Sequence, residues 1–217
     1  RWEDNWNLMW WRLQDVSYRF NACIKNVFYS FGLISLSDGV SAGILTLFFI
    51  FHNCSPIEVA MVFFYQKLPW LLFSNISGMV SDQYDNKKVI ILAKLVCIMC
   101  YALIILIIQN HSEIYMIYPL IFTLGICEVF LLNSMNTIVP YIVKEKNIRI
   151  KVNSIIISIE TALEQFAGYP LGIMLAGIVS FTTLFLILIV LQLFSIIPVC
   201  KIKLNSPKIS NVSYNFS

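Results

Sequence analysis

The sequence predicts an all-α membrane protein of six transmembrane helices with both termini on the cytoplasmic side. Three observations predict it. The composition is 59% hydrophobic and only 12% charged, with a mean hydropathy of +0.77, whereas soluble domains carry about 25% charged residues. Apolar runs of the length a bilayer crossing needs, about 20 residues, recur six times. Lys and Arg collect in alternate connections between those runs. Helices are the expected spanning element because they satisfy their own backbone in lipid.

Residues 1–25 open the chain. Trp2, Trp6, Met9, Leu13, Val16 and Phe20 share one helical face, with Arg and Asp/Glu on the other. An interfacial helix on the cytoplasmic leaflet has this pattern, and an irregular extension is the alternative. Residues 26–200 form the bundle, with spans near 27–51, 57–80, 88–108, 114–140, 149–176 and 178–199. Residues 201–217 are polar and read as a cytoplasmic linker or tail. The chain begins with Arg rather than Met, which leads us to expect a piece of something longer.

Charge placement fixes the orientation. Arg1, Arg12, Arg19 and Lys25 precede the first span, and Lys87 and Lys88 follow the second. Lys144, Lys146, Arg149 and Lys151 follow the fourth, and Lys201, Lys203 and Lys208 follow the sixth. The connections near 52–56, 109–113 and 177 hold no Lys or Arg. The positive-inside rule then puts both ends in the cytoplasm. The net charge of +3 reports topology and attraction to an anionic leaflet, not a nucleic-acid partner. Lys94, near the cytoplasmic end of the third span, is expected to snorkel.

No nucleotide-binding loop, metal cluster or nucleophile arrangement is present, so neither an enzyme, a cofactor nor a metal site is expected. Cys97-x-x-Cys100 sits in an apolar run with no nearby His and reads as packing. The first long apolar run exceeds a cleavable signal peptide in length.

The junction GMVSDQYDNKK, Gly78 to Lys88, lies between two apolar runs. Gly78-x-x-x-Asp82 followed by Lys87-Lys88 resembles the loop between spans 2 and 3 of the major facilitator superfamily. Tyr84 and Asp85 fill the aromatic and acidic places of that pattern, while Gln83 and Asn86 stand where Arg is usual. Residues 133–172 resemble the region from span 4 to span 5 of its drug and siderophore exporter branch, on Pro140, Asn153 and Gly168-Tyr169-Pro170-Leu171-Gly172. Ser37-Asp38-Gly39 also resembles that branch. The resemblance covers about residues 26–200.

It implies the N-terminal half of a twelve-helix fold built from two inverted three-helix repeats, partnered by a missing C-terminal half or a second copy. It implies a secondary transporter in a cell membrane, of bacterial plasma-membrane type, that exports small amphipathic compounds by proton antiport. Gly78, Asp82, Lys87 and Lys88 would form a conformational latch, with Gly78 admitting a neighbouring helix and Asp82 accepting from a helix N-terminus or pairing with a cation. A plain solvated turn is the simpler reading of the same residues. A non-transporting six-span partner protein, or an inactive transporter remnant, is the alternative for the whole chain.

Ionisable residues deep in a bilayer cost at least ~2.5 kcal/mol each when left facing lipid. The candidates are Asp38, Lys67, Glu128, Glu160 and Glu164. Glu160 and Glu164, four apart, share a helical face, and close carboxylates make one another easier to protonate. They therefore suit proton and substrate exchange. The structural alternative pairs Lys67 with one acid and hydrogen-bonds the rest. Trp70, Phe73, Phe122 and Phe166 are candidates for an apolar lining.

Overall fold

A computed structural model describes residues 22–110, 113–142 and 146–201. The proposed interfacial helix, the C-terminal tail beyond Lys201, His111 and Lys144 lie outside the described residues. What is described is helical, with no strand among those residues.

Among the described residues six rods follow one another. They are α1 (Ala22–Phe51), α2 (Pro56–Gln83), α3 (Asn86–Gln109), α4 (Ile117–Ile142), a composite rod and α7 (Phe181–Lys201). The composite rod joins α5 (Lys146–Thr161) to α6 (Tyr169–Ala176) through a π-helical segment, Ala162–Gly168. Each apolar run of the sequence falls on one rod. Among the described residues four stretches are both long and apolar enough to cross a membrane: 27–51, 86–109, 114–140 and 181–200. The rods outside that set, α2 and the composite, carry Lys67, Glu160 and Glu164.

Local chemistry sets the breaks. Asn53 has φ 55°, a left-handed geometry that Asn tolerates and that commonly closes a helix. Cys54 N–H bonds to Phe49 O at 3.1 Å and Asn53 N–H to Ile50 O at 3.0 Å, which completes the helix stop. Ser55 then caps α2. Its side chain accepts from Glu58 N–H, while Glu58 Oε2 accepts from Ser55 N–H at 2.6 Å, with Pro56 opening the helix. Asp85 caps α3 by accepting from Lys87 N–H at 3.0 Å. Pro170 explains the π segment, because it has no N–H and its ring crowds the carbonyl one turn back. Tyr169 N–H instead reaches Glu164 O, one residue further than an α-helix allows.

Packing follows a simple exchange rule. The first rod lies along the composite rod and α7, while α4 lies along α2 and α3. Helices α3 and α7 pack on each other. Exchanging α1 with α4, α2 with the composite rod, and α3 with α7 maps this pattern onto itself, as two related three-helix repeats require. The core runs through the bundle on Phe31, Phe49, Tyr101, Ile121 and Phe185, all at most 2% exposed.

The closest backbone approaches use glycine. A Cβ on Gly43 would stand 2.6 Å from Tyr169 O, and one on Gly168 would stand 2.8 Å from Gly39 Cα. Gly39 meets the Glu164 carbonyl and Gly172 meets the Val40 carbonyl, closer still. Gly39, Gly43, Gly168 and Gly172 therefore form a two-sided small-residue seam between α1 and the composite rod. Gly125 plays the related part on α4, where a Cβ would stand 2.5 Å from Gln66 O and 2.9 Å from the Pro69 ring. Gly78 corrects an expectation. Nothing lies within 4 Å of where its Cβ would be, so it is not the residue that lets α2 approach a neighbour.

Candidate functional site

The ionisable residues of three rods converge at the middle of the bundle. Lys67 on α2 directs Nζ to Glu128 Oε1 on α4 at 2.9 Å and to Glu164 Oε1 in the π segment at 3.7 Å. Trp70, three residues beyond Lys67, donates its indole N–H to the same Glu128 oxygen at 3.2 Å. Glu128 is 7% exposed, whereas the Lys67 side chain keeps 48% of its surface open. The cluster thus has a buried floor and an open roof. One ammonium serves two carboxylates.

The backbone builds this convergence. Gly125 and Pro69 let α4 and α2 touch one turn from Glu128 and Lys67. The π segment turns Glu164 toward the same point, and its carbonyl rests against Gly39 beside Asp38. Below the cluster the α2–α4 contact stays polar. Asn133 bonds to Ser74 O at 3.4 Å and to Ser77 Oγ, and Ser81 pairs with Ser134 at 3.1 Å. Interhelical hydrogen bonds of this kind hold membrane helices together where lipid removes the hydrophobic drive.

The sequence candidates fall into two groups. Lys67, Glu128 and Glu164 are in direct contact. Glu160 sits one turn from Glu164 and within electrostatic range of Glu164, Glu128 and Lys67. Asp38 is separate. Among the described residues no cation stands within ion-pair distance of it, though the charges of Glu128, Lys94, Glu164 and Lys67 act on it. Trp70 joins the site through its N–H, and Phe73 packs against Phe122 with ring centroids 6.2 Å apart. Phe166 points outward, 78% exposed.

Two expectations are corrected here. Lys94 does not snorkel. It is fully buried, donating to Gln192 Oε1 at 3.0 Å and to Ser195 Oγ at 2.5 Å on α7. Gln192 in turn donates to Ser37 at 3.1 Å, beside Asp38. Ile90, Lys94, Cys97, Tyr101 and Ile104 occupy one buried stripe at helical spacing, but α3 is apolar all round, so the sequence does not single that stripe out. The second correction concerns the junction. The N-terminus of α3 is received by Asp85, not Asp82, which lies exposed in the last turn of α2. Lys87 Nζ reaches Cys200 O at 2.8 Å and ties this turn to the end of α7.

Several helices long and apolar enough to cross a membrane, set around a charged cluster, mark a multi-pass membrane protein. The family model of the Major Facilitator Superfamily matches residues 27–215, and the chain belongs to that superfamily. No curated protein matches the chain.

Proposed function

We propose that the chain is the N-terminal six-span half of a proton-coupled exporter of small amphipathic compounds, drug-, macrolide- or siderophore-like, in a bacterial plasma membrane. One observation carries the reading: a single ammonium, Lys67, is shared by two carboxylates, the buried Glu128 and the partly buried Glu164. Such a set has room for one more positive charge. A proton arriving from outside fills it, and a substrate from the cytoplasm displaces that proton, so only one is held at a time. Glu160 and Asp38 extend the acidic surface. Asp82, Lys87 and Lys88 serve the latch at the α2–α3 turn, with Gly78 beside them.

Six spans are supported by the length of the two charged rods. At about 1.5 Å per residue, α2 and the composite rod both exceed the ~30 Å hydrocarbon layer. The open side of Lys67 supports a second half or copy, since a half-exposed ammonium at this depth needs water or protein over it. Residues 1–25 would then lie on the cytoplasmic leaflet, 26–200 in the bilayer, and 201–217 in the cytoplasm.

In the full-length transporter, Glu164→Gln is expected to abolish proton-driven efflux while leaving expression intact, because Gln keeps the shape and removes the titration. Normal pH-dependent transport in single Gln or Asn variants of Glu164, Glu160, Glu128 and Asp38 alike would make these carboxylates structural.

Topology has its own test. An impermeant maleimide added to intact cells is expected to label Cys54 and spare Cys23 and Cys200. Burial, and then the nearby Glu58, push the Cys54 thiol above its usual range. Only the thiolate reacts, so labelling should be slow at neutral pH and rise about tenfold per pH unit through the mildly alkaline range. Labelling of Cys200 from outside would reverse the orientation.

A further inference from the structure

Beside the ion cluster lies a second polar space. Asp38 and Ser41 on α1, Gln66 on α2, Tyr101 on α3 and Glu128 on α4 line a cavity of about 20 Å³, enough for one water, which needs roughly 10–15 Å³. Gln66 is 8% exposed, and its Oε1 has no hydrogen-bond partner. A buried acceptor left without a donor costs ~1–3 kcal/mol, so a donor is expected there. The protein groups do not supply it. Tyr101 donates its O–H to Ser41 Oγ at 3.0 Å, which leaves the Ser41 hydrogen free to point into the space. The cavity therefore presents Gln66 Oε1 and the two carboxylates as acceptors and the Ser41 hydroxyl hydrogen as a donor.

We infer that this cavity holds a single ordered water that donates to Gln66 and to a carboxylate, accepts from Ser41, and passes protons between Asp38 and Glu128. The proton-passing role rests on the proton-coupled reading above; the water's presence does not. A small polar cavity with this complement of partners matches a water's two donors and two acceptors.

The transfer balances without any other reactant. The protonated carboxyl gives its O–H hydrogen to the water oxygen while the water gives one of its own to the opposite carboxylate. One O–H bond breaks and one forms at each step, and the water is restored. Asp38, which among the described residues lacks a cation at contact distance, thereby shares a proton with Glu128, which touches Lys67. The other titratable groups facing the pair are Lys67 from α2, Lys94, Cys97 and Tyr101 from α3, Cys127 from α4, and Glu164, Glu160 and Tyr169 from the composite rod. Helix α7 contributes neutral Gln192 and Ser195.

Infrared difference spectra between acidic and neutral pH test this on the full-length chain in proteoliposomes, with no substrate needed. Recorded in ordinary and ¹⁸O-labelled water, the wild type should show one O–H stretch of a confined water that shifts with the label. Gln66→Leu, which fills the space and removes the acceptor, should lose that band. After a rapid pH step the carboxyl C=O band of Gln66→Leu should rise at least about tenfold more slowly, with unchanged final amplitude. A purely structural Gln66 would alter amplitude instead. If Gln66→Leu does not accumulate, the unbranched Gln66→Met carries the same expectation. Absence of a label-sensitive band in the wild type, its persistence in the variant, or its removal by sodium at constant pH would each overturn the water site; an unchanged rate would overturn the relay. Normal pH-dependent transport in all four carboxylate variants would sink the proton-coupled reading and the coupling role but leave the water band in place.

Discussion

Gly39→Val is expected to prevent stable folding, with a loss of about 3 kcal/mol or more. The added Cβ would enter the carbonyl of Glu164, and backbone atoms cannot rotate aside as a flexible side chain can. Relief requires α1 and the composite rod to separate, which also opens the contacts of Gly43, Gly168 and Gly172. The same displacement carries Glu164 away from Lys67. Thermal unfolding of the detergent-purified chain reads the effect. Gly78→Ala is the control: open space surrounds that position, and a helical Gly→Ala change stabilises by up to about 1 kcal/mol. Equal damage from both substitutions would mean that the seam is not the reason.

Lys67→Met should be nearly as harmful, and a second substitution should repair it. Removing the ammonium leaves Glu128 buried with only the Trp70 N–H for company. We expect a loss of about 3 kcal/mol, the lower end for breaking a buried pair, because Lys67 itself keeps an open side. Adding Glu128→Gln removes the stranded charge and keeps an acceptor for Trp70. The double variant should therefore recover most of the stability while remaining inactive in transport. Thermal unfolding of the two single variants and the double variant completes the cycle. A double variant no more stable than Lys67→Met would show that the ion pair is not what matters at this point.

Much of the bundle was legible because lipid imposes a strong rule: apolar runs of spanning length form helices. The runs at 88–108 and 178–199 coincide with α3 and α7 almost end to end. A pairing of Lys67 with an acid was also legible, since an ammonium at that depth needs one. Its sharing between Glu128 and Glu164 was not, because it depends on the π segment, whose extra residue per turn shifts the face of everything after Ala162. The buried state of Lys94 escaped for another reason. Position along a span suggests depth, whereas burial depends on which stripe faces α7, and Gln192 and Ser195 lie about a hundred residues away. Gln66 was overlooked because a neutral amide gives no warning in a sequence; only an unpaired oxygen in a closed space does.

The Lys67–Glu128 pair also bears on how the chain is made. Lys67 leaves the ribosome 61 residues ahead of Glu128. At about 5–20 residues per second, the ammonium waits roughly 3–12 s for its partner. A lone Lys at the centre of a spanning helix costs about 2.5–3.5 kcal/mol during insertion, and Gln66 beside it adds to that burden. The two glycine-dependent contacts that position α2, at Gln66 and Pro69, likewise need Gly125, which is made later still than α3. Nascent α2 is therefore expected to sit less firmly in the bilayer than its apolar neighbours until α4 arrives, so an early span is among the last to be secured.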